Sequence, residues 1–255
     1  MIHMELHVVY NEDCLEGMNR IEDKSIDMIL CDLPYGTTAC KWDTIIPFEP
    51  LWKQYNRVIK KRGVIVLTAS QPFTSLLVTS NLKMFKYEWI WEKEQGVNFL
   101  LSKKVPLKVH ENILVFGGNN YFPQMEKGKP YLSGKGNSGD VTKNVIKIQT
   151  KNEGTRYPRS VIKINREVGL HPTQKPVELF EYLIKTYTKE GDIVLDNCMG
   201  SGTTAIACIN TNRNYIGFEL DKGYYDIILE RIKNHKPDVK PDVIQENKQG
   251  LETWF

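Results

Sequence analysis

The sequence predicts an α/β fold, a mostly parallel sheet with helices on both faces. Three observations predict it. Short apolar runs alternate with segments of helical periodicity along most of the chain. Two of those runs end in an acid followed by a turn rich in Pro or Gly, at Asp32 and at Asp196. The length, 255 residues, suits one domain carrying a substantial insertion.

Taken in order, Leu15, Met18 and Ile21 recur at helical spacing, and Ser25–Cys31 is an apolar run that reads as a buried strand. Phe48, Leu51, Trp52, Tyr55, Val58 and Ile59 share one helical face. Gly63 ends that helix and a strand Val64–Leu67 follows. Ser70 is positioned to cap a further helix with Pro72 in its first turn. Tyr87–Trp91 and Asn112–Phe116 read as strands, with Trp89 and Trp91 alternating as packing residues. From Gly117 the periodicity dissolves into a Gly- and Lys-rich stretch, and regular structure resumes near Arg156–Ile164. A helix Pro176–Thr188, a strand Ile193–Leu195, a helix through Asn210, a strand Tyr215–Leu220 and a helix through Ile232 complete the pattern. The tail from Lys236 reads as extended.

The composition, 41% hydrophobic and 25% charged, is that of a soluble globular protein. No apolar run approaches the roughly 20 residues of a membrane span, so no membrane partner is expected. Met1–Tyr10 lacks a cationic start followed by an apolar stretch, so no secretory signal is expected. Five cysteines without a CxxC pair argue against a disulfide framework or a zinc site and for a reducing cytoplasm. His110 and His171 have no metal-ligand spacing, and no metal is expected. The net charge of +3 divides unevenly: −2 over residues 1–100, +9 over 101–166 and −4 over 167–255. The central segment, with Lys103, Lys104, Lys108, Lys127, Lys129 and Arg156 among its cations, has the character of a phosphate-facing surface.

Two strand ends carry chemistry. In Asp196-Asn197-Cys198-Met199-Gly200-Ser201-Gly202-Thr203-Thr204, glycines permit close backbone approach and a helix start offers free N–H groups. Glu219 ends the next strand, where a carboxylate commonly holds ribose hydroxyls of an adenosine-bearing cofactor. Neither GxGxxG nor GxxxxGK[ST] is present, which disfavours NAD and ATP. In Asp32-Leu33-Pro34-Tyr35-Gly36, an acceptor carboxylate, a rigid turn and an aromatic face come together. Such a set can stack a planar amino-bearing base on Tyr35 while its exocyclic amine donates to Asp32 and a main-chain carbonyl.

These segments resemble the amino-group DNA methyltransferases that use S-adenosylmethionine. Asp32-Leu33-Pro34-Tyr35 is similar to the target motif [DNS]-P-P-[YFW], with Leu33 in place of the first proline. Asp196, Gly200, Ser201, Gly202 and Thr203 match the cofactor motif D-P-F-x-G-S-G-T, from which Asn197 and Cys198 depart. His171-Pro172-Thr173-Gln174-Lys175-Pro176 matches a segment that borders the methionine part of the cofactor in relatives. Asn11-Glu12-Asp13-Cys14 resembles the segment that lines their adenine pocket. With the target motif first and the cofactor loop last, the order resembles that of the β group of these enzymes.

The resemblance implies a Rossmann-like S-adenosylmethionine-dependent methyltransferase fold with permuted motif order. It implies a catalytic domain over 1–235, interrupted by a basic target-recognition region over 95–167, and a tail over 236–255. It implies a site-specific methyltransferase acting on the N6 amine of a flipped adenine in DNA, expected to be double-stranded. Asp32, Leu33, Pro34 and Tyr35 would be catalytic, and S-adenosylhomocysteine the product. Asp13, Cys14, Asp32, Thr173, Lys175, Asp196, Gly200, Ser201, Gly202, Thr203 and Glu219 would hold the cofactor. N4-cytosine methylation and a non-catalytic DNA-binding relative stand as alternatives. Asp at the first motif position usually accompanies adenine in the family. A 5-methylcytosine mechanism needs a cysteine nucleophile after proline, and neither Cys31 nor Cys198 has that context. Relatives often pair as homodimers and serve restriction-modification; the sequence names no endonuclease partner.

Overall fold

The computed structural model describes residues 4–37, 43–132, 151–167, 169 and 174–235. In chain order, β1 (Val8–Tyr10), α1 (Cys14–Met18) and β2 (Ile26–Cys31) are followed by α2 (Phe48–Val58), β3 (Ile59–Ala69) and α3 (Phe73–Ser80). Next come β4 (Phe85–Val97), β5 (Lys108–Gly117) and the short strands β6 (Glu126–Lys127), β7 (Tyr131–Leu132), β8 (Lys151–Asn152) and β9 (Thr155–Arg156). The chain returns through β10 (Val161–Lys163), α4 (Val177–Tyr187), β11 (Ile193–Asp196), α5 (Thr203–Asn210), β12 (Asn214–Phe218) and α6 (Lys222–Asn234).

Among the described residues, eight strands form the central sheet in the order β1-β12-β11-β2-β3-β5-β4-β10. All neighbours pair in parallel except β5, which runs antiparallel to both β3 and β4. Every residue of β2 is buried, as a central strand covered on both faces requires. Its side chains alternate between two cores. Met28 and Leu30 pack with Leu179, Leu183, Ala205 and Ile228 from α4, α5 and α6. Ile29 and Cys31 pack with Met18, Leu51, Tyr55 and Phe73 from α1, α2 and α3. Removing a fully buried side chain such as Leu51 costs about 2–5 kcal/mol through lost transfer energy and the cavity left behind. Two small ladders, β6–β9 and β7–β8, lie outside this sheet, whereas β5 and β10 belong to it.

Several expectations shift in detail. Ile59 opens β3 instead of closing α2, and Gly63 lies inside that strand. A Cβ at Gly63 would stand 2.8 Å from the Asp27 carbonyl oxygen, so its lack of a side chain serves strand approach, not a helix stop. Ser70 is not a side-chain cap. α3 begins after Pro72 with no side-chain cap bond, and the Ser70 hydroxyl receives Lys108 instead. The strand β1 had no separate signal in the sequence, because three residues are too few for a period; it exists by pairing with β12. Trp89 and Trp91 are buried, their indole N–H groups donating to the Tyr187 hydroxyl at 2.6 Å and the Ile164 carbonyl at 2.8 Å. The extended reading of the tail from Lys236 lies outside the described residues.

Candidate active site

The topology brings distant motifs to one sheet edge. β2 pairs with β11 through Met28–Val194 and Ile29–Leu195, so the carboxyl ends of these strands deliver Asp32 and Asp196 side by side. β11 pairs with β12, which leads into Glu219, and β12 pairs with β1, which leads into Asn11–Cys14. Asn11 Nδ2 donates to the Glu219 and Leu220 carbonyls at 2.8 and 3.1 Å, stitching the last two loops together. A cavity of about 440 Å³ opens at this edge, where open α/β sheets bind ligands. Its walls include Asp13, Cys14, Asp32, Leu33, Pro34, Tyr35, Glu111, Lys175, Asp196, Gly200, Ser201, Thr203 and Glu219. A second cavity, of about 480 Å³, lies by the start of β4 and the end of β5, where the Tyr87 and Tyr187 hydroxyls stand 3.0 Å apart.

One wall is built around Asp32. Its Oδ1 accepts from the Tyr35 hydroxyl at 2.7 Å and from the Thr68 hydroxyl of β3. Its Oδ2 accepts from Lys175 Nζ at 2.5 Å. Lys175 is buried and lies 3.4 Å from Glu111 Oε2, while Lys93 of β4 donates to Glu111 Oε1. Burial opposes ionisation of Glu111, but the ammonium groups of Lys175 and Lys93 outweigh it and hold the carboxyl below its ordinary range. Burial likewise opposes the charge of Lys175, and Asp32 and Glu111 outweigh that, holding its ammonium above the usual value. Tyr35 stacks on Phe73 with ring centroids 5.1 Å apart, which fixes its plane.

The other wall is the glycine loop. Gly200 and Gly202 both hold positive φ, 55° and 81°, conformations that favour glycine. A Cβ at Gly200 would meet nothing within 4 Å, so the loop backbone lies bare to the cavity. Glu219 accepts from the Gly200 N–H at 2.7 Å and from the Asp221 N–H at 2.9 Å. Asp196 accepts from the Cys198 N–H at 3.0 Å and from the Thr204 hydroxyl. Burial pushes each carboxyl up to about 6, against these donors. The two departures from the motif are accommodated internally: Asn197 Oδ1 accepts from the buried Tyr55 hydroxyl at 2.5 Å, and Asn197 Nδ2 approaches the Cys14 and Cys198 sulfurs at 3.5 Å. A bare glycine turn with a buried carboxylate at the next strand end fits an adenosine-bearing cofactor.

The N6/N4 DNA methylase family model matches residues 26–230. The chain belongs to the DNA methylase family. Among relatives of this DNA methylase, the type II methyltransferase M2.DpnII of Streptococcus pneumoniae is 42% identical, the match covering 89% of each chain. The type II methyltransferase M.HpaI of Haemophilus parainfluenzae is 28% identical over 86% of this chain and 72% of its own. The fold is that of solved methyltransferases. The M1.HpyAVI–SAM complex superposes with a TM-score of 0.59 at 24% identity, covering 88% of this chain and 98% of its own. The cytosine-N4-specific PvuII DNA methyltransferase superposes at 0.63 with 14% identity, covering 91% and 87%.

In this DNA methylase, most residues singled out in the sequence meet at the one cavity, with qualifications. Thr173 lies outside the described residues. Gly202 does not line the cavity; it caps α5, where a Cβ would press on Ile228 at 3.1 Å. The Thr203 hydroxyl donates to the Lys175 carbonyl at 3.2 Å, tying the cofactor loop to the lysine. Asp13 Oδ1 caps α1 through the N–H groups of Leu15 and Glu16. The Leu33 side chain is buried in the core beneath the turn. Lys175, expected beside the cofactor, spends its ammonium on Asp32 and Glu111. Thr68, Lys93 and Glu111 escaped the sequence reading, although a charge within an apolar strand, as in Lys108–Gly117, is a signal that could have marked Glu111. Burial pushes the Cys31 thiol up to about 12, which removes it as a nucleophile. Among the described residues no cluster of three or more His, Cys, Asp or Glu could hold a metal, and no helix is long and apolar enough to cross a membrane.

Proposed function

We propose that this DNA methylase transfers a methyl group from S-adenosylmethionine to the exocyclic N6 amine of an adenine flipped out of double-stranded DNA. The observation that carries the reading is the carboxylate of Asp32, set on the wall of the cavity that also holds the glycine loop and Glu219. An amine on a base inside the duplex is out of reach of such a recess, so the nucleotide leaves the stack. Asp32 accepts a hydrogen bond from the incoming amine and keeps its lone pair directed at the methyl donor. Tyr35, braced by Phe73 and by its bond to Asp32, presents a ring for the base to lie on. Gly200 admits the cofactor to the loop backbone, and Glu219 accepts from its ribose hydroxyls. S-adenosylmethionine supplies an electrophilic methyl on a sulfonium, so the protein contributes alignment and charge placement and no covalent intermediate is required.

Asp at the first motif position supports adenine over cytosine. The ladders β6–β9 and β7–β8, outside the central sheet, are the part we assign to DNA contact, through Lys127, Lys129, Lys151 and Arg156. The deciding experiment expresses the chain, digests the host DNA to nucleosides and identifies the methylated base. N6-methyladenine is expected; N4-methylcytosine alone overturns the adenine assignment. Methylation-sensitive sequencing of the same DNA reports the target site.

A further inference from the structure

β4 and β5 form a hairpin whose tip projects from the sheet edge that carries the active site. The antiparallel course of β5 sets this direction: Ala69, at the end of β3, pairs with Asn112 near the start of β5. Glu111 lines the cavity, and Lys108, nearer the tip on the same strand, donates to the Ser70 hydroxyl just past β3. At about 3.4 Å per strand residue, Lys108 stands roughly 10 Å along β5 from Glu111. The tip itself is an ordered turn. Asn98 swings the chain at φ 69° into a 3₁₀ turn, Phe99–Leu101, and the Leu101 carbonyl accepts from the Lys104 and Val105 N–H groups at 2.8 and 3.0 Å. At its base the two arms touch, since a Cβ at Gly96 would stand 2.6 Å from the Leu107 Cβ.

This tip holds its apolar side chains in water. Leu100 is 98% exposed and Phe99 77%, with Leu101, Val105, Leu107 and Val109 exposed beside them. Single exposed leucines are ordinary, but so many within one turn form a patch of the kind that marks an interaction surface. The charge around it points to the partner. Residues 97–110 carry Lys103, Lys104 and Lys108 and no Asp or Glu. A two-fold contact between copies of the chain would bring these lysines together, whereas a phosphate backbone is matched by them. Exposed apolar side chains flanked by cations are what proteins insert between base steps. The indoles of Trp89 and Trp91 are not available for this, being buried and bonded to Tyr187 and Ile164.

We propose that the hairpin tip is a wedge: Phe99 and Leu100 enter the stack of duplex DNA and fill the gap that the target nucleotide leaves, with Lys103 and Lys104 on the adjoining phosphates. The proposal rests on the reading that a base is flipped into the cavity. A turned-out base lies about a groove's depth, roughly 8.5 Å, from the gap it leaves, the same scale as the span from Glu111 to the root of the tip. Extrusion loses the base's stacking and pairing, and apolar side chains in its place return part of the stacking and exclude water. Neither Phe99 nor Leu100 lines the cavity, so both are positioning residues that act by closing the stack behind the base.

The test uses the site that sequencing of methylated host DNA identifies, as an intact duplex and as one with the target base opposite an abasic position. Single-turnover methyl transfer and the Kd for S-adenosylmethionine are measured for wild type and for the variant carrying Phe99→Ala and Leu100→Ala. On the intact duplex the variant's rate should fall about tenfold or more. On the abasic duplex it should fall less than about threefold, because extrusion of an unpaired base costs least. Cofactor affinity and the urea midpoint should hold, since both side chains are exposed. Leu100→Ala alone should repeat the pattern, and serves if the double variant does not fold. A wild-type rate on the intact duplex overturns the proposal, as do equal losses on the two duplexes. Self-association that disappears in the variant gives the patch to a second copy and overturns it too. Nucleoside analysis that finds no methylated base in DNA overturns the reading beneath it instead, so the two failures are distinguishable.

Discussion

The two walls of the cavity solve the problem of buried carboxylates in opposite ways. At the target wall, Asp32 and Glu111 are matched by the ammonium groups of Lys175 and Lys93, and Glu111 is held below its ordinary range. At the cofactor wall, Asp196 and Glu219 receive N–H and hydroxyl donors and pair with no lysine or arginine among the described residues, and burial pushes each carboxyl up to about 6. The difference follows the ligands assigned to each side. A carboxylate that receives a neutral amine works best when permanently charged, whereas a site beside a sulfonium and an adenosine gains nothing from a competing lysine.

The largest effect that sharpens this contrast is expected from Lys175→Met. It leaves Asp32 without its cation while Glu111 keeps Lys93, and breaking a buried pair this way costs about 3–5 kcal/mol, read as a lower urea midpoint. An unchanged midpoint would mean that the target wall does not depend on its lysines. Next, Asp32→Ala should lower the methylation rate by about 10²–10³-fold while leaving cofactor binding intact; labelled methyl transfer and calorimetry report the two separately. Third, Glu219→Gln should weaken S-adenosylmethionine by about 10–100-fold, the value of a hydrogen bond to a charged group. Its folding stability should fall by about 1–3 kcal/mol, because an amide has one acceptor oxygen and one of the N–H groups of Gly200 and Asp221 loses its partner.

The smallest effect is a pH dependence, and its sign differs between the walls. The folded carboxyls of Asp196 and Glu219 hold protons up to about 6, above their ordinary values of 3.8 and 4.5. Folding takes up protons in that window, so this wall loses stability as pH rises from about 4 to 6. Glu111 acts in reverse: its stabilisation is present above its ordinary value and fades as pH falls through its lowered one. With Glu219 in its proposed role as acceptor for the cofactor, affinity should drop as pH falls below about 6. A titration of Kd between neutral and acid pH checks it, and a flat profile would break the assigned contrast.

Much of this was legible in the chain. The alternation of apolar runs and amphipathic segments located every long element of the sheet and its helices, because burial on one or two faces leaves a periodic trace. The acids at Asp32, Asp196 and Glu219 were readable because strand ends in α/β folds deliver residues to a ligand crevice. Lys93, Glu111 and Thr68 were not readable as site residues. They come from β4, β5 and β3; a charge within an apolar strand marks Glu111 as unusual, but nothing local to those strands says that the three gather around Asp32 and Lys175. The antiparallel course of β5 was equally silent, since a strand's own pattern does not record the direction of its neighbour.

By itself, then, the sequence determined the fold class, the two strand-end motifs and the family, because periodicity, turn chemistry and motif order are local properties of the chain. Only the tertiary structure decided that Lys175 serves Asp32, that Glu111 lies 3.4 Å from the same lysine, and that one wall is charge-paired while the other is not. The physical reason is that ion pairing in a buried site depends on distances between strands far apart in the chain. Those distances exist only once β2, β4 and β5 have been laid into one sheet.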